Sequence, residues 1–198
     1  MTAYRQVQHA GYWVSRDAVG AKNVTLDDDP ETADFINIEW LDWDGQTHLT
    51  VYTLVDGSDE LKKLRRSYSI DSVVQQDTAV ADYIDEATYN TTLSQSIDAE
   101  DNTITVDSTD GFPSTSVLRI ENELIEYGNT TGSSFTDCSR GTYSTAATAH
   151  SSSVEVRCSP NTNCYWDGNT LSLVITAQVG DQVATRIYNI EPRPFLGQ

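Results

Sequence analysis

The chain has 198 residues and carries 30 Asp and Glu against 12 Lys and Arg, a net charge of −18. That surplus argues against a phosphate-clamping nucleic-acid binder, which needs clustered Lys and Arg, and against electrostatic docking on anionic lipid. The apolar share of 38% lies below the usual ~45–50%, no apolar run approaches the ~20 residues of a membrane span, and abundant Thr, Ser and Tyr point to strands and turns.

The first twenty residues read as a helix. Tyr4, Val7, Gly11, Val14, Ala18 and Ala21 recur at steps of three and four, forming one stripe of small and medium apolar side chains. Arg5, Gln6, Gln8, Arg16 and Asp17 are placed off that stripe. Asp27-Asp28-Asp29-Pro30 follows as a turn, and the period then changes to two. The run from Phe35 to Asp42 has its more apolar face on Ile36, Ile38 and Trp40, and Asp44-Gly45 signals a hairpin. The return strand, 47–55, puts Leu49, Val51 and Thr53 on one face. A further strand over 61–70 carries Leu64, Tyr68 and Ile70 beside the basic cluster Lys62, Lys63, Arg65 and Arg66. That cluster reads first as an edge strand guarded by cations and second as a binding patch.

From residue 93 the composition shifts to Ser, Thr, Asp and Gly. Short strands are predicted at 103–106, 117–120, 124–127 and 154–156, at the spacing of a small β-barrel or sandwich. This stretch holds 10 acidic and 2 basic side chains within 93–156, whereas 157–198 is neutral with 3 of each. The expected organisation is therefore a host domain of 1–92 plus 163–198, interrupted by an inserted β module and connecting loop over 93–162. The expected fold class is α+β, with the N-terminal helix on an antiparallel sheet and its stripe covering Val51, Val174 and Ile175.

No catalytic motif accompanies His9, His48 or His150, and pairs among 30 carboxylates arise without chemical meaning. The chain is accordingly read as non-enzymatic, with no catalytic residue and no cofactor. Asp27, Asp28 and Asp29 are weak calcium candidates, since they lack the alternating spacing of a dedicated loop. Of three cysteines, Cys158 and Cys164 bracket a short polar loop that a disulfide could close. A pairing of Cys138 and three reduced thiols are the alternatives.

Five segments carry a family resemblance: Tyr4–Ala18, Glu39–Gly45, Leu64–Tyr68, Thr78–Ile84 and Thr185–Pro194. Together they resemble the soluble part of type IV minor pilins and J-type minor pseudopilins of the prepilin-type cleavage/methylation class, as found in Dehalococcoides-like Chloroflexota. The resemblance implies a filament subunit that packs with other pilin or pseudopilin subunits. It would be anchored in the cytoplasmic membrane by an apolar helix absent from this sequence, with its head at the cell surface. In that reading Val7, Gly11, Val14 and Ala18 form the core and assembly face of the helix. A second resemblance rests on Gly111-Phe112-Pro113, Ile120–Tyr127, Phe135–Gly141 and His150. These are similar to a small β module of phage virion proteins, which implies the alternative of a tail or capsid-decoration protein.

Overall fold

The computed structural model describes residues 2–26 and 34–193; the Asp27, Asp28 and Asp29 candidates lie outside them. Helix α1 (Ala3–Val19) has little local support. Thr2 makes no side-chain cap and the first turn holds no acidic residue, so the helix depends on tertiary packing of its apolar face. Strands β1 (Asn23–Leu26), β2 (Asp34–Leu41), β3 (Thr47–Asp56), β4 (Lys62–Ile70) and β5 (Val73–Ile84) follow as an antiparallel meander. The middle of the chain supplies β6 (Tyr89–Thr92), β7 (Ile104–Thr105), β8 (Ser116–Ile120), β9 (Glu123–Tyr127), β10 (Asn129–Thr131), β11 (Ser134–Thr136) and β12 (Glu155–Cys158). Finally β13 (Asn163–Trp166), β14 (Leu171–Val179) and β15 (Gln182–Ile190) return to the first sheet.

Two compact units result, Met1–Glu86 with Asn161–Gln198, and Ala87–Pro160. The first is a helix packed on an antiparallel, nearly closed sheet; the second is the smaller β module. The module begins earlier than the composition shift at residue 93, because β6 pairs with β12 from Tyr89↔Cys158 to Thr92↔Glu155.

In the head, β14 pairs with β15 along its whole length. Its other edge is shared, by β13 over Leu171–Val174 and by β5 at Ala177↔Ile84. β13 comes back beside β1, which brings the sheet close to closure. α1 packs on β5, β14 and β15, and it bonds to both flanks. His9 Nδ1 lies 2.6 Å from the Val80 carbonyl, and Gln6 Oε1 accepts the Asp82 amide at 2.9 Å. On the other side Tyr188 donates to the Val7 carbonyl at 3.0 Å, and Arg186 donates to the Tyr4 hydroxyl. Trp13 donates to His9 Nε2, so Nδ1 carries the proton given to Val80.

Val7, Val14 and Ala18 are fully buried and Gly11 is buried with them. The core opposite differs from expectation in detail. β3 turns Thr50, Tyr52 and Leu54 inward and leaves Val51 half-exposed, and β14 buries Leu171, Leu173 and Ile175 while Val174 faces the other side. In β3 the outward residues are as apolar as the inward ones, so alternation alone does not choose the face; in β14 it does, since Leu171, Leu173 and Ile175 alternate with Ser172, Thr176 and Gln178. The basic strand β4 is also not an edge: β3 and β5 flank it throughout. Its partner β5 escapes a composition search because the connecting turn, Asp71-Ser72, takes positive φ at both residues (46° and 67°) without a glycine.

The module is built from a three-stranded sheet, β10-β11-β7, and a four-stranded sheet, β6-β12-β8-β9. Phe135, Ile104, Leu118, Ile120 and Ile125 fill the space enclosed and are fully buried.

At Gly11, α1 lies directly against the Tyr188 ring of β15. A Cβ there would lie 2.0 Å from the Tyr188 ring. Alanine ordinarily gains about 1 kcal/mol over glycine inside a helix, but overpacking costs about 1–3 kcal/mol. Gly11→Ala should therefore lower the melting temperature, and in a Tyr188→Ala background the same change should raise it. Thermal melts of the four proteins check this.

Candidate functional site

The chemistry-bearing side chains of the head gather on the helix-facing side of β2, β3 and β4. Asp17 sits on α1 three residues after Val14, which puts it within the buried stripe and only 7% exposed, not on the outer face. Gln6, also placed outside the stripe from sequence, is likewise buried. Arg66 is 4% exposed and grips Asp17 with both ends of its guanidinium, Nε at 2.5 Å and Nη2 at 3.1 Å. Tyr52 donates to the same carboxylate at 2.6 Å. Burial first, and the Asp17 charge second, push the Tyr52 phenol far above its ordinary range, so it stays a donor. Burial works against the Arg66 charge, yet the hydrogen bonds and charge of Asp17 outweigh it and raise its pKa. The Trp13 and Tyr68 rings flank the guanidinium at 5.1 and 5.5 Å.

This polar seam continues along the sheet. His48 Nδ1 is 2.6 Å from the Tyr68 hydroxyl, and Nε2 is 3.0 Å from Asp42 Oδ2. The Asp42 carboxylate accepts a hydrogen bond from Nε2–H, and Nδ1 accepts one from the Tyr68 hydroxyl. Hydrogen bonding from His48 first, and from the Gln46 amide second, holds Asp42 below the usual carboxylate range. Trp40 stacks on His48 at 5.2 Å with an interplanar angle of 14°. The order carboxylate, imidazole, hydroxyl is that of a proton relay, and its evident effect is to tie together neighbouring strands where the core ends.

A second ionic cluster lies inside the module. Glu123, on β9, is 1% exposed and meets Arg140 through two hydrogen bonds, 2.7 Å to Nε and 2.8 Å to Nη2. It also accepts the amides of Gly141 and Thr148. Arg140 donates further to the carbonyls of Asp98 and Thr148. His150 lies between Glu121 and Glu123, each ring nitrogen 2.8 Å from a carboxylate oxygen. Gly141 has φ 62° and leaves no room for a side chain against the Ala147 amide, which explains the Arg-Gly pair. Burial acts against the Glu123 charge, but the bonds from Arg140, His150 and the Thr148 amide hold its pKa down at about 2.

The sequence-derived cysteine pair is not joined. Cys138, Cys158 and Cys164 are free and buried. Cys158 belongs to the module's core and Cys164 to the head's, so each thiol is turned into its own unit. Burial raises all three, Cys138 to about 11, which leaves them protonated and slow to react. No cluster of three or more metal-ligating side chains occurs among the described residues.

One surface property separates the units. Among the described residues, every large apolar side chain that is exposed belongs to the head, including Trp43 at 86%, Ile187 at 65% and Val73, Val74 and Val183 above 60%. Comparison with protein-family models, curated proteins and solved structures finds no match to this chain.

Two measurements follow. Asp17→Ala leaves a buried guanidinium without its counter-charge and should cost about 3–5 kcal/mol, whereas Asp17→Leu with Arg66→Met should cost much less; urea denaturation distinguishes them. Glu123 titrates at about 2 in the folded protein against 4.5 ordinarily. Its contribution, roughly 3 kcal/mol, is complete above pH 4.5 and is lost as pH falls from there to about 2. Denaturation of the native protein and of Glu123→Gln across this range should show the slope in the first and its loss in the second.

Proposed function

We propose that this chain is a non-enzymatic structural subunit, whose head assembles with neighbouring subunits and whose inserted module is the part displayed. The observation that carries this reading is the segregation, among the described residues, of exposed large apolar side chains to the head. Apolar exposure of this kind marks association surfaces, and a unit without exposed large apolar side chains stays solvated.

Two assemblies fit this division of labour. A phage virion, with the chain as a tail or capsid-decoration protein, is favoured by the module. The residues on which its resemblance rests are the ones that build it. Phe112 and Tyr127 pack on Phe135 at 5.1 and 4.7 Å, Tyr127 donates to the Pro113 carbonyl, and Glu123, Arg140 and His150 form the ionic cluster. A minor pilin or pseudopilin is supported by the head, where Val7, Gly11, Val14 and Ala18 lay the helix on the sheet. That stripe is consumed within the subunit, so it adds nothing specific to contacts between subunits. The virion reading is the better supported.

Immunogold labelling with antibodies against residues 87–160 tests the proposal on intact cells and on particles from their lysates. Gold on virions is the expected result, and gold on thin surface filaments would select the pilin reading. Label confined to dispersed protein inside cells would overturn both.

A further inference from the structure

We propose that a cleft in the head, at the point where β5 and β14 separate, binds a guanidinium group. The inference stands apart from the assembly reading and needs no second copy of the chain.

One residue breaks the strand pairing and so creates the cleft. β14 meets β5 at Ala177↔Ile84, and the Asp85 amide reaches the Thr176 carbonyl at 2.9 Å. Tyr83 and Gln178 would form the next pair, but Tyr83 takes a left-handed φ of 60°. On its other side the register slips, so that Asp82 and Tyr83 together oppose Lys63. The strands part there and leave a cavity of about 230 Å³, lined by Asp59, Leu61, Tyr83, Gln178 and Gly180. Glycine or asparagine ordinarily takes such a conformation, and a tyrosine in it is an outlier. The facing turn shares the peculiarity. The Leu61 amide donates to the Ser58 carbonyl at 3.1 Å, with Asp59 at φ 58° and Glu60 at φ 63°. That is a type I′ turn, which favours Asn-Gly or Asp-Gly and not glutamate in second place. Strained residues converging on one cavity point to a role for their side chains in binding.

The lining chemistry selects the ligand. Among the described residues neither the Asp59 carboxylate nor the Tyr83 hydroxyl has a hydrogen-bond partner. Gln178 commits an amide N–H to the Gly180 carbonyl at 3.3 Å, so acceptors prevail over donors in the cleft. Lys62, the cation next along the chain, is held by Asp56 at 2.8 Å and Glu86 at 3.6 Å. Glu60, Asp82 and Asp181 adjoin the lining residues in sequence and add only negative charge. An anion is therefore repelled, and a neutral sugar would lack the donors its hydroxyl oxygens need. One carboxylate is too few for a metal ion, which takes several oxygen ligands. A guanidinium fits each constraint: it is cationic, it only donates, its fork matches a carboxylate, and its plane stacks on an aromatic ring. An ammonium group brings the charge without the fork or the plane.

The test follows backbone amide shifts of the full chain by NMR during titration. Arginine amide should shift Asp59, Tyr83 and Gly180 in a saturable manner, lysine amide more weakly, and methyl glucoside and inorganic phosphate not at all. A Gly-Arg-Gly peptide blocked at both ends separates the two sources of the group. Binding as tight as that of arginine amide assigns the cleft to an arginine side chain of a protein, and exclusion of the peptide assigns it to a free small molecule. Asp59→Asn keeps the turn, which asparagine favours, and should weaken arginine amide about tenfold, the worth of a charge-assisted bond. Tyr83→Asn accepts the left-handed conformation and should melt no lower than the native protein while losing the ligand. Glu60→Gly relaxes the same turn without touching the cleft; it should melt higher and bind as the native protein does. Absence of saturable shifts with arginine amide would overturn the inference. So would unchanged affinity in Tyr83→Asn, or equal weakening by Asp59→Asn and Glu60→Gly, which marks diffuse attraction to an acidic surface.

Discussion

The Asp17–Arg66 ion pair fixes the relation between helix and sheet in the head. A stripe of Val, Ala and Gly has little shape of its own and would tolerate a helix that slid or rotated. A carboxylate held by two guanidinium bonds and a phenol does not tolerate it, since any shift leaves a buried charge unmet. With α1 held at that point, Gly11 meets Tyr188, and His9 and Gln6 reach the backbone of β5. The helix then does what a strand would do in a closed barrel, satisfying backbone groups on one flank and packing on the other.

The module solves a different problem with similar chemistry. A unit of this size has a limited core, and its long connections leave many backbone groups to satisfy. Arg140 and Glu123 gather the carbonyls of Asp98 and Thr148 and the amides of Gly141 and Thr148 around a single buried pair. One ionic contact thus stands in for several turns of regular structure. His150, adjoining both Glu121 and Glu123, ties the end of the last long loop to the same point.

Much of this architecture could be read from sequence where periodicity was unopposed. The helix stripe, the β2–β3 hairpin at Asp44-Gly45 and the short strands near 104, 117, 124 and 155 follow from spacing and turn residues. The sequence reading failed where a rule had a competitor. Charge alone places Asp17 off the helix stripe and Arg66 in a basic edge cluster, although Asp17 follows Val14 by three and Arg66 alternates with Leu64 and Tyr68. A charged residue in phase with an apolar stripe is the signal that would have paired them. Asp71-Ser72 makes a turn usually marked by glycine, so composition does not reveal β5, and without β5 the basic strand β4 reads as an edge. The cysteine pair was suggested by loop length, which carries no information on which core each side chain enters.

The contacts of Tyr188 with Val7 and of Arg186 with Tyr4 join residues 181 and 182 positions apart. An early helix is therefore held by a strand made much later, and head assembly carries a high contact order. During synthesis α1 emerges with its buried face uncovered and waits until β15 has been made, 181 residues on from Val7 at Tyr188. The module spans a continuous stretch, 87–160, and can complete its own core before β15 leaves the ribosome. Its folding also brings the two halves of the head within reach, shortening the loop the helix must close. The insertion acts on this view as an internal folding aid, spending the interval in which the first helix has no partner.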